Sequence, residues 1–424
     1  MRILILGSGA REHAIAWKLE SEIGKENIFI APGNAGTCLC GENVNIAVTD
    51  FDNLKRFCLQ NDIDTILPGS EESIASGVRD SFENDDATKN IFIFSPDKHA
   101  GQLESSKAFA KKFMQKQGIP TAAYKTFKLD SLNEGYRFLE TLSPPYVLKA
   151  DGLAAGKGVL ILSSLEEAKH ELQDMLQNEK FGSASQSVVV EEFLDGIEFS
   201  VFALTDGENY VLLPEAKDYK RIGEGDKGLN TGGMGAVSPV PFYTADIHKK
   251  TLDQIVIPTI QGFKKHHINY RGFVFFGLIL VNGDPKVIEY NVRLGDPETE
   301  VIIPRLKESL SSMIEDAKAG LLQTRIADSI SHYATTVFAV SGGYPEKYEN
   351  GKMIQIDSKV KTLFHAGTKR VDYGLYTNGG RVLAATCLGN SLDDALNSSY
   401  TLLNSVNFEN MTFRRDIGQD LKTY

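Results

Sequence analysis

The run Phe273-Val274-Phe275-Phe276-Gly277-Leu278-Ile279-Leu280-Val281-Asn282-Gly283-Asp284-Pro285-Lys286-Val287-Ile288-Glu289-Tyr290-Asn291-Val292-Arg293-Leu294-Gly295-Asp296 decides how this chain arranges its chemistry. Two β-rich segments, Phe273-Val281 and Lys286-Val292, flank Asn282-Gly283-Asp284-Pro285, whose Asn-Gly and Asp-Pro content marks an antiparallel hairpin turn. A strand points residues i and i+2 to one face, so Glu289 and Asn291 present their oxygens together, as a hard cation requires. Arg293 follows on the same alternation and would lie beside that cation. A metal and an arginine next to a polar turn suit phosphoryl chemistry.

Upstream of this hairpin, short β-rich runs alternate with helical patterns: Ile3-Leu6, Glu12-Leu19, Ile28-Ile30, Thr65-Leu67, a helix beginning near Glu71, and Ile91-Phe94. That order predicts a parallel sheet with crossover helices in an N-terminal α/β domain over residues 1–101. Helical spacing from Gln102 to Gln117 opens a second domain, 102–328, which includes a small α+β unit at about 121–190 placed to act as a lid. A strand-rich α+β domain is expected over 329–424, so the fold class is α/β and α+β multidomain. Residues 217–235 show little apolar periodicity and read as a long loop suited to an anionic substrate, against the alternative of a solvated charged loop.

Three glycine-bearing stretches bear on ligands. Gly7-Ser8-Gly9-Ala10-Arg11-Glu12 follows the first strand, but Glu12 replaces the third glycine of a dinucleotide fingerprint and would repel a pyrophosphate. The turn still offers backbone N–H groups and Arg11 to a single phosphate, against the alternative of a plain strand-helix turn. Asp151-Gly152-Leu153-Ala154-Ala155-Gly156-Lys157-Gly158 has the wrong spacing for a Walker loop. With Lys149 and Lys157 it suits a glycine loop closing over a triphosphate. Glu191, Phe193 and Glu198 flank the turn Asp195-Gly196, where they either hold a nucleoside or are merely solvated.

The chain carries 45 basic and 56 acidic residues, a net charge of −11, without a basic patch; no nucleic-acid or anionic-membrane partner is expected. Cys38, Cys40, Cys58 and Cys387 form no disulfide framework and no zinc spacing, which fits a reducing cytoplasm. Met1-Arg2 leads straight into an apolar strand and the longest apolar run is too short for a bilayer, so neither an export segment nor a membrane span is expected.

Taken in order, these segments resemble the phosphoribosylamine-glycine ligase family, also called glycinamide ribonucleotide synthetases, of the ATP-grasp class. The resemblance is carried by Gly7 to Ala14, Pro32-Gly33-Asn34-Ala35-Gly36-Thr37, Asp151 to Val159, Asn230-Thr231-Gly232-Gly233-Met234-Gly235-Ala236, Glu289 to Glu300, and Ser341-Gly342-Gly343-Tyr344-Pro345. It implies that ATP, glycine and 5-phosphoribosylamine give glycinamide ribonucleotide, ADP and phosphate through a glycyl phosphate, in a monomer. Glu289 and Asn291 would then bind Mg²⁺, or Mn²⁺. Lys107, Lys149, Gly152, Gly156, Lys157, Gly158, Glu191, Phe193 and Glu198 would bind ATP. Gly9, Arg11, Gly33, Asn34, Asp218, Arg221, Gly233, Arg293 and Asp296 would bind the other substrates, with Arg293, Lys149 and Asp296 taking part in catalysis. Ala10 stands where the family usually has glycine, Lys217-Asp218-Tyr219 where Gln-Asp-His is common, and Phe273-Val281 holds no acid to help the metal pair.

Overall fold

The computed structural model describes residues 1–152, 158–357 and 363–424. Its N-terminal part is a five-stranded sheet in the order Glu42–Asn43, Ile28–Pro32, Ile3–Gly7, Thr65–Pro68, Phe92–Ile93, with every ladder parallel. Ile3, Leu4, Ile5 and Leu6 are wholly buried because helices cover both faces of such a sheet. Chain order reverses between Ile3–Gly7 and Thr65–Pro68. Loops at the carboxyl ends of these two strands therefore frame a crevice, the usual ligand position in an open α/β sheet.

A nine-stranded sheet forms the body of the molecule. Its path runs Asp284–Asn291, Gly272–Val281, Ile197–Thr205, Tyr210–Asp218, Gly235–Ser238, Tyr333–Val340, Arg381–Gly389, Leu363–His365, and Arg325–Ile326 pairs beside Tyr210–Asp218. The hairpin read from the sequence lies at one edge, where Val281 pairs with Asp284 across a two-residue turn. Asn282 and Gly283 there have φ of 51° and 82°. Both values are left-handed, the geometry of the tight turn that matches strand twist. Asp284 and Pro285 thus belong to the second strand instead of the turn.

Strands of the expected third domain continue this sheet: Ala236 pairs with Thr336, and Val337 with Ala385. A four-stranded sheet stands apart, in the order Tyr124–Phe127, Val188–Glu192, Tyr146–Ala150, Val159–Leu162. With the helices Leu132–Leu139 and Leu165–Asn178 it encloses its own core around Leu148, Leu172, Met175 and Val190. Among the described residues no helix is long and apolar enough to cross a membrane.

Two local expectations need correction. The helix foreseen from Gln102 to Gln117 is broken at Ser106, whose extended backbone ends Gln102–Ser105 and whose hydroxyl caps Lys107–Gln117 by accepting from Phe109 N. Apolar spacing alone does not register such a cap. The stretch 217–235, foreseen as a loop, contains the end of Tyr210–Asp218, a small hairpin of Arg221–Gly223 and Lys227–Asn230, and the first residue of the strand Gly235–Ser238. The small hairpin is largely exposed on both faces, so it has no apolar alternation to reveal it.

Candidate active site

Glu289 lies opposite Gly277 in the ladder, and Asn291 opposite Phe275. A Cβ added at Gly277 would meet Glu289 Cγ at 2.9 Å, so the glycine makes room for the carboxylate. Among the described residues Glu289 has no hydrogen-bond or ion-pair partner, although Lys107 lies close enough to feel its charge. Asn291 Oδ1 accepts from Arg293 Nη2 at 3.3 Å, and the same Nη2 donates to Glu104 Oε1 at 2.8 Å. No group of three or more His, Cys, Asp or Glu that could hold a metal occurs among the described residues. One carboxylate and one amide oxygen suit a Mg²⁺-like ion that takes its remaining ligands from phosphate and water.

Lysines line the side of this pair that faces the four-stranded sheet. Lys107 stands in the first turn after the Ser106 cap, and its Nζ reaches Gly152 O at 3.4 Å. Asp151 Oδ1 holds the cap in place by accepting from Ser106 Oγ at 2.9 Å and Ala108 N at 3.0 Å. A bulge in the hairpin ladder frees the carbonyl of Ile288, which accepts from Lys149 Nζ at 3.5 Å. Lys149 and Lys111 both end on Glu191 Oε2, at 3.0 and 3.1 Å. Lys111 is almost fully buried, and that burial pushes its ammonium down to about 8. Among the described residues Glu191 Oε1 is buried without a partner. Phe193 is partly exposed beside these groups, and Gly158 O accepts from Ala150 N at 2.8 Å. A Cβ on Gly152 would strike Ala184, while Gly156 and Lys157 lie outside the described residues.

Close to the same pair, Lys220 Nζ meets Glu198 Oε2 at 2.6 Å and lies 3.9 Å from Asp218 Oδ1. Asp218 and the neighbouring Glu298 are buried, which raises both carboxyls; Glu298 is pushed up to about 8, first by burial and then by the charge of Asp218. Strand alternation turns Lys217 and Tyr219 the other way, where the Tyr219 hydroxyl donates to Asp420 Oδ1 at 2.5 Å.

The crevice of the parallel sheet meets this region at Asp296. Arg11 N donates to Asp296 Oδ2 at 3.4 Å, and Arg11 Nη1 to Leu294 O at 3.0 Å. Glu12 folds back onto the turn, taking the Gly9 N–H at 2.5 Å and Arg11 Nε at 2.7 Å. A Cβ at Gly7, Gly9 or Gly69 would collide with its carboxylate. The side chain that argues against a dinucleotide therefore fills the space such a ligand would need. Gly233 packs on Pro297, where a Cβ would meet Cδ at 2.3 Å, and its φ of 114° is open to glycine alone.

Three further residues expected at the substrate also shape the local fold. Asn34 Nδ2 donates to Ser8 O, Gly9 O and His365 O, and its Oδ1 accepts from Gly36 N and Thr37 N, so its side chain shapes the turn. Gly33 serves the same turn with a φ of 72° beside Asn43 and Thr37. Arg221 Nη1 donates to Gly228 O within its own hairpin. The other expected site residues that are described fall into the four groups above.

Sequence reasoning missed Glu104, Lys111, Lys220, Glu298 and Arg381. Two of these had a signal: Lys111 lies one helical turn after Lys107, and Lys220 is two residues along from Asp218. Glu104 and Arg381 arrive from other parts of the fold, and Arg381 Nη2 pairs with Asp296 Oδ1 at 2.9 Å.

Family models described as the N domain, the ATP-grasp (A) domain and the C domain of phosphoribosylglycinamide synthetase match residues 1–104, 105–299 and 334–420. Phosphoribosylamine–glycine ligase of Fusobacterium nucleatum is 41% identical over 424 residues, 99% of this chain and 98% of that one. The Vibrio cholerae enzyme of that name is 42% identical over 425 residues, with the same coverage. A crystal structure of phosphoribosylamine–glycine ligase from Thermotoga maritima superposes with a TM-score of 0.87 at 38% identity, covering 98% of this chain and 100% of that one. The biotin carboxylase domain of Hydrogenobacter thermophilus 2-oxoglutarate carboxylase, at 15% identity and a TM-score of 0.73, shares the fold. The chain belongs to the phosphoribosylglycinamide synthetase family, ATP-dependent carbon–nitrogen ligases of the ATP-grasp class.

Proposed function

We propose that this ligase joins glycine to 5-phosphoribosylamine through a glycyl phosphate, releasing glycinamide ribonucleotide, ADP and phosphate. One observation carries the reading: Arg293 reaches the metal pair through Asn291, and Asp296, three residues on, reaches the N-terminal turn through Arg11 N. A single turn thus joins the phosphate-handling side to a crevice suited to a phosphosugar. In the first step a glycine carboxylate oxygen attacks the γ-phosphorus and ADP departs. The amine nitrogen of phosphoribosylamine then attacks the acyl carbon, loses a proton and expels phosphate.

The chain's contribution is positioning and charge. Lys107 and Lys149 neutralise ATP oxygens beneath the glycine loop, while the backbone from Glu191 to Phe193 borders the adenine and Glu198 the ribose. Arg293 faces the transferring phosphoryl group. Arg11 and the turn at Gly9 take the phosphosugar, with Asp218, Gly233 and Asp296 around the glycine and amine. Mg²⁺, or Mn²⁺, bound by Glu289 and Asn291 supplies further neutralisation of phosphate charge. The bacterial relatives and the lack of a membrane-crossing helix among the described residues support a cytoplasmic site of action.

ADP release tests the reading. Full turnover should require glycine and phosphoribosylamine together, and equal turnover with another amino acid or amine would overturn it.

A further inference from the structure

Ser341-Gly342-Gly343-Tyr344-Pro345 has been given no role so far, yet it is built onto the site through Gly232 and Gly380. Ser341 N donates to Gly380 O at 2.8 Å and Ser341 Oγ to Gly379 O at 2.9 Å. The Tyr344 ring lies so close over Gly380 that a Cβ there would meet it at 2.1 Å. This couples Tyr344 to the next residue, Arg381, and both side chains reach the same segment. The Gly232 N–H donates to the Tyr344 hydroxyl at 2.9 Å. Arg381 Nη1 donates to Gly232 O at 2.7 Å, Gly233 O at 3.3 Å and Asp296 O at 2.9 Å, while Nη2 pairs with Asp296 Oδ1. The guanidinium is seated over the Phe338 ring, 4.6 Å from its centre. Glu300 is buried beside Asp296; burial and the Asp296 charge hold the Glu300 carboxyl well above its usual range, while the charges of Arg381 and Arg11 hold that of Asp296 below it.

We propose that Tyr344 and Arg381 are positioning residues for the substrate end of the site, fixing the Gly232-Gly233 backbone against the Asp296 turn. Neither needs to touch a substrate. The inference rests on the reading of Gly233 and Asp296 as lining the glycine and amine site. Arg381 supplies several directed donors from one planar group, an arrangement that a lysine ammonium cannot reproduce.

Steady-state kinetics on the full chain carrying Arg381→Met, Arg381→Lys or Tyr344→Phe, with Tm measured alongside, tests the proposal. Arg381→Met and Arg381→Lys should each raise KM for glycine or phosphoribosylamine at least about tenfold, with KM for ATP held within about twofold. Tyr344→Phe, which keeps the ring on Gly380, should shift the same constants by roughly threefold or more with Tm unchanged. Unchanged constants for the small substrates would overturn the proposal. So would a parallel rise in all three KM values tracking a fall in Tm, since that marks a structural role only. Gly233→Ala separates the two levels of inference: if it leaves every KM unmoved, the substrate reading of this loop fails. If Gly233→Ala raises the small-substrate constants while the Arg381 and Tyr344 variants do not, the clamp alone fails.

Discussion

Lys111 and Lys149 come from a helix and from a strand of the four-stranded sheet, and their ammonium groups converge on one oxygen of Glu191. Lys149 reaches the hairpin that carries Glu289 directly, through the Ile288 carbonyl, whereas Lys111 reaches it through Thr121, whose hydroxyl accepts from the Lys111 ammonium at 2.8 Å and donates to Val287 O at 2.6 Å. Lys111 therefore acts on the nucleotide side indirectly, by holding the carboxylate that holds Lys149. Replacing Lys111 with Met should cost about 1–3 kcal/mol in urea unfolding, since one of two cations on a buried carboxylate is lost. It should also raise KM for ATP several-fold with KM for glycine nearly constant. Equal shifts in both constants would contradict the indirect role.

Glu289→Ala should lower turnover by at least about a hundredfold, or roughly 2.7 kcal/mol of barrier, with Tm close to that of the parent. Among the described residues Glu289 makes no hydrogen bond or ion pair, so the effect should lie in the nucleotide complex. Near-normal turnover at ordinary Mg²⁺ would remove it from the metal site.

Gly277→Ala tests the same carboxylate without altering it. The added methyl would meet Glu289 Cγ at 2.9 Å on a ladder that cannot shift freely. The Mg²⁺ concentration for half-maximal activity should rise about tenfold while KM for glycine holds. An unchanged metal dependence would mean that Glu289 swings aside without consequence.

Glu298 gives a pH signature. Burial pushes its carboxyl up to about 8, against 4.5 in its ordinary state, so between these values the folded protein holds a proton that the unfolded chain has released. Stability contributed by this group is present below about pH 4.5 and is lost as pH rises toward 8. Glu298→Gln removes that dependence, and its stability relative to the parent should climb with a slope on the order of 1 kcal/mol per pH unit across this window. Parallel stability–pH curves for the two proteins would show that the carboxyl is not held neutral.

How far the residues announced this structure depends on whether their signal was local. The hairpin turn, the glycine turn after the first strand and the Glu289/Asn291 pair are set by residues a few positions apart, and they were legible. The Ser106 break was not, because a cap is decided by one hydroxyl and its backbone partner, with Asp151 far along the chain reinforcing it. Asn34 reads as a ligand-facing amide until the fold brings Ser8, Gly9 and His365 around it. Arg381 is a further case: 85 residues separate it from Asp296, and no spacing rule links them. Long-range pairings of this sort belong to the folded sheet.

The unbroken sheet also bears on where this protein can be divided. A cut near residue 328 looks natural on the sequence, yet it would strip Tyr333–Val340 from Gly235–Ser238 and bare a buried edge whose backbone donors and acceptors would seek other chains. Fragments made there should be sticky when expressed singly and regain solubility only when both are produced together. An insertion or tag is better sited at the exposed turn around Asp372 and Tyr373, which lies on a short two-stranded ribbon outside that sheet.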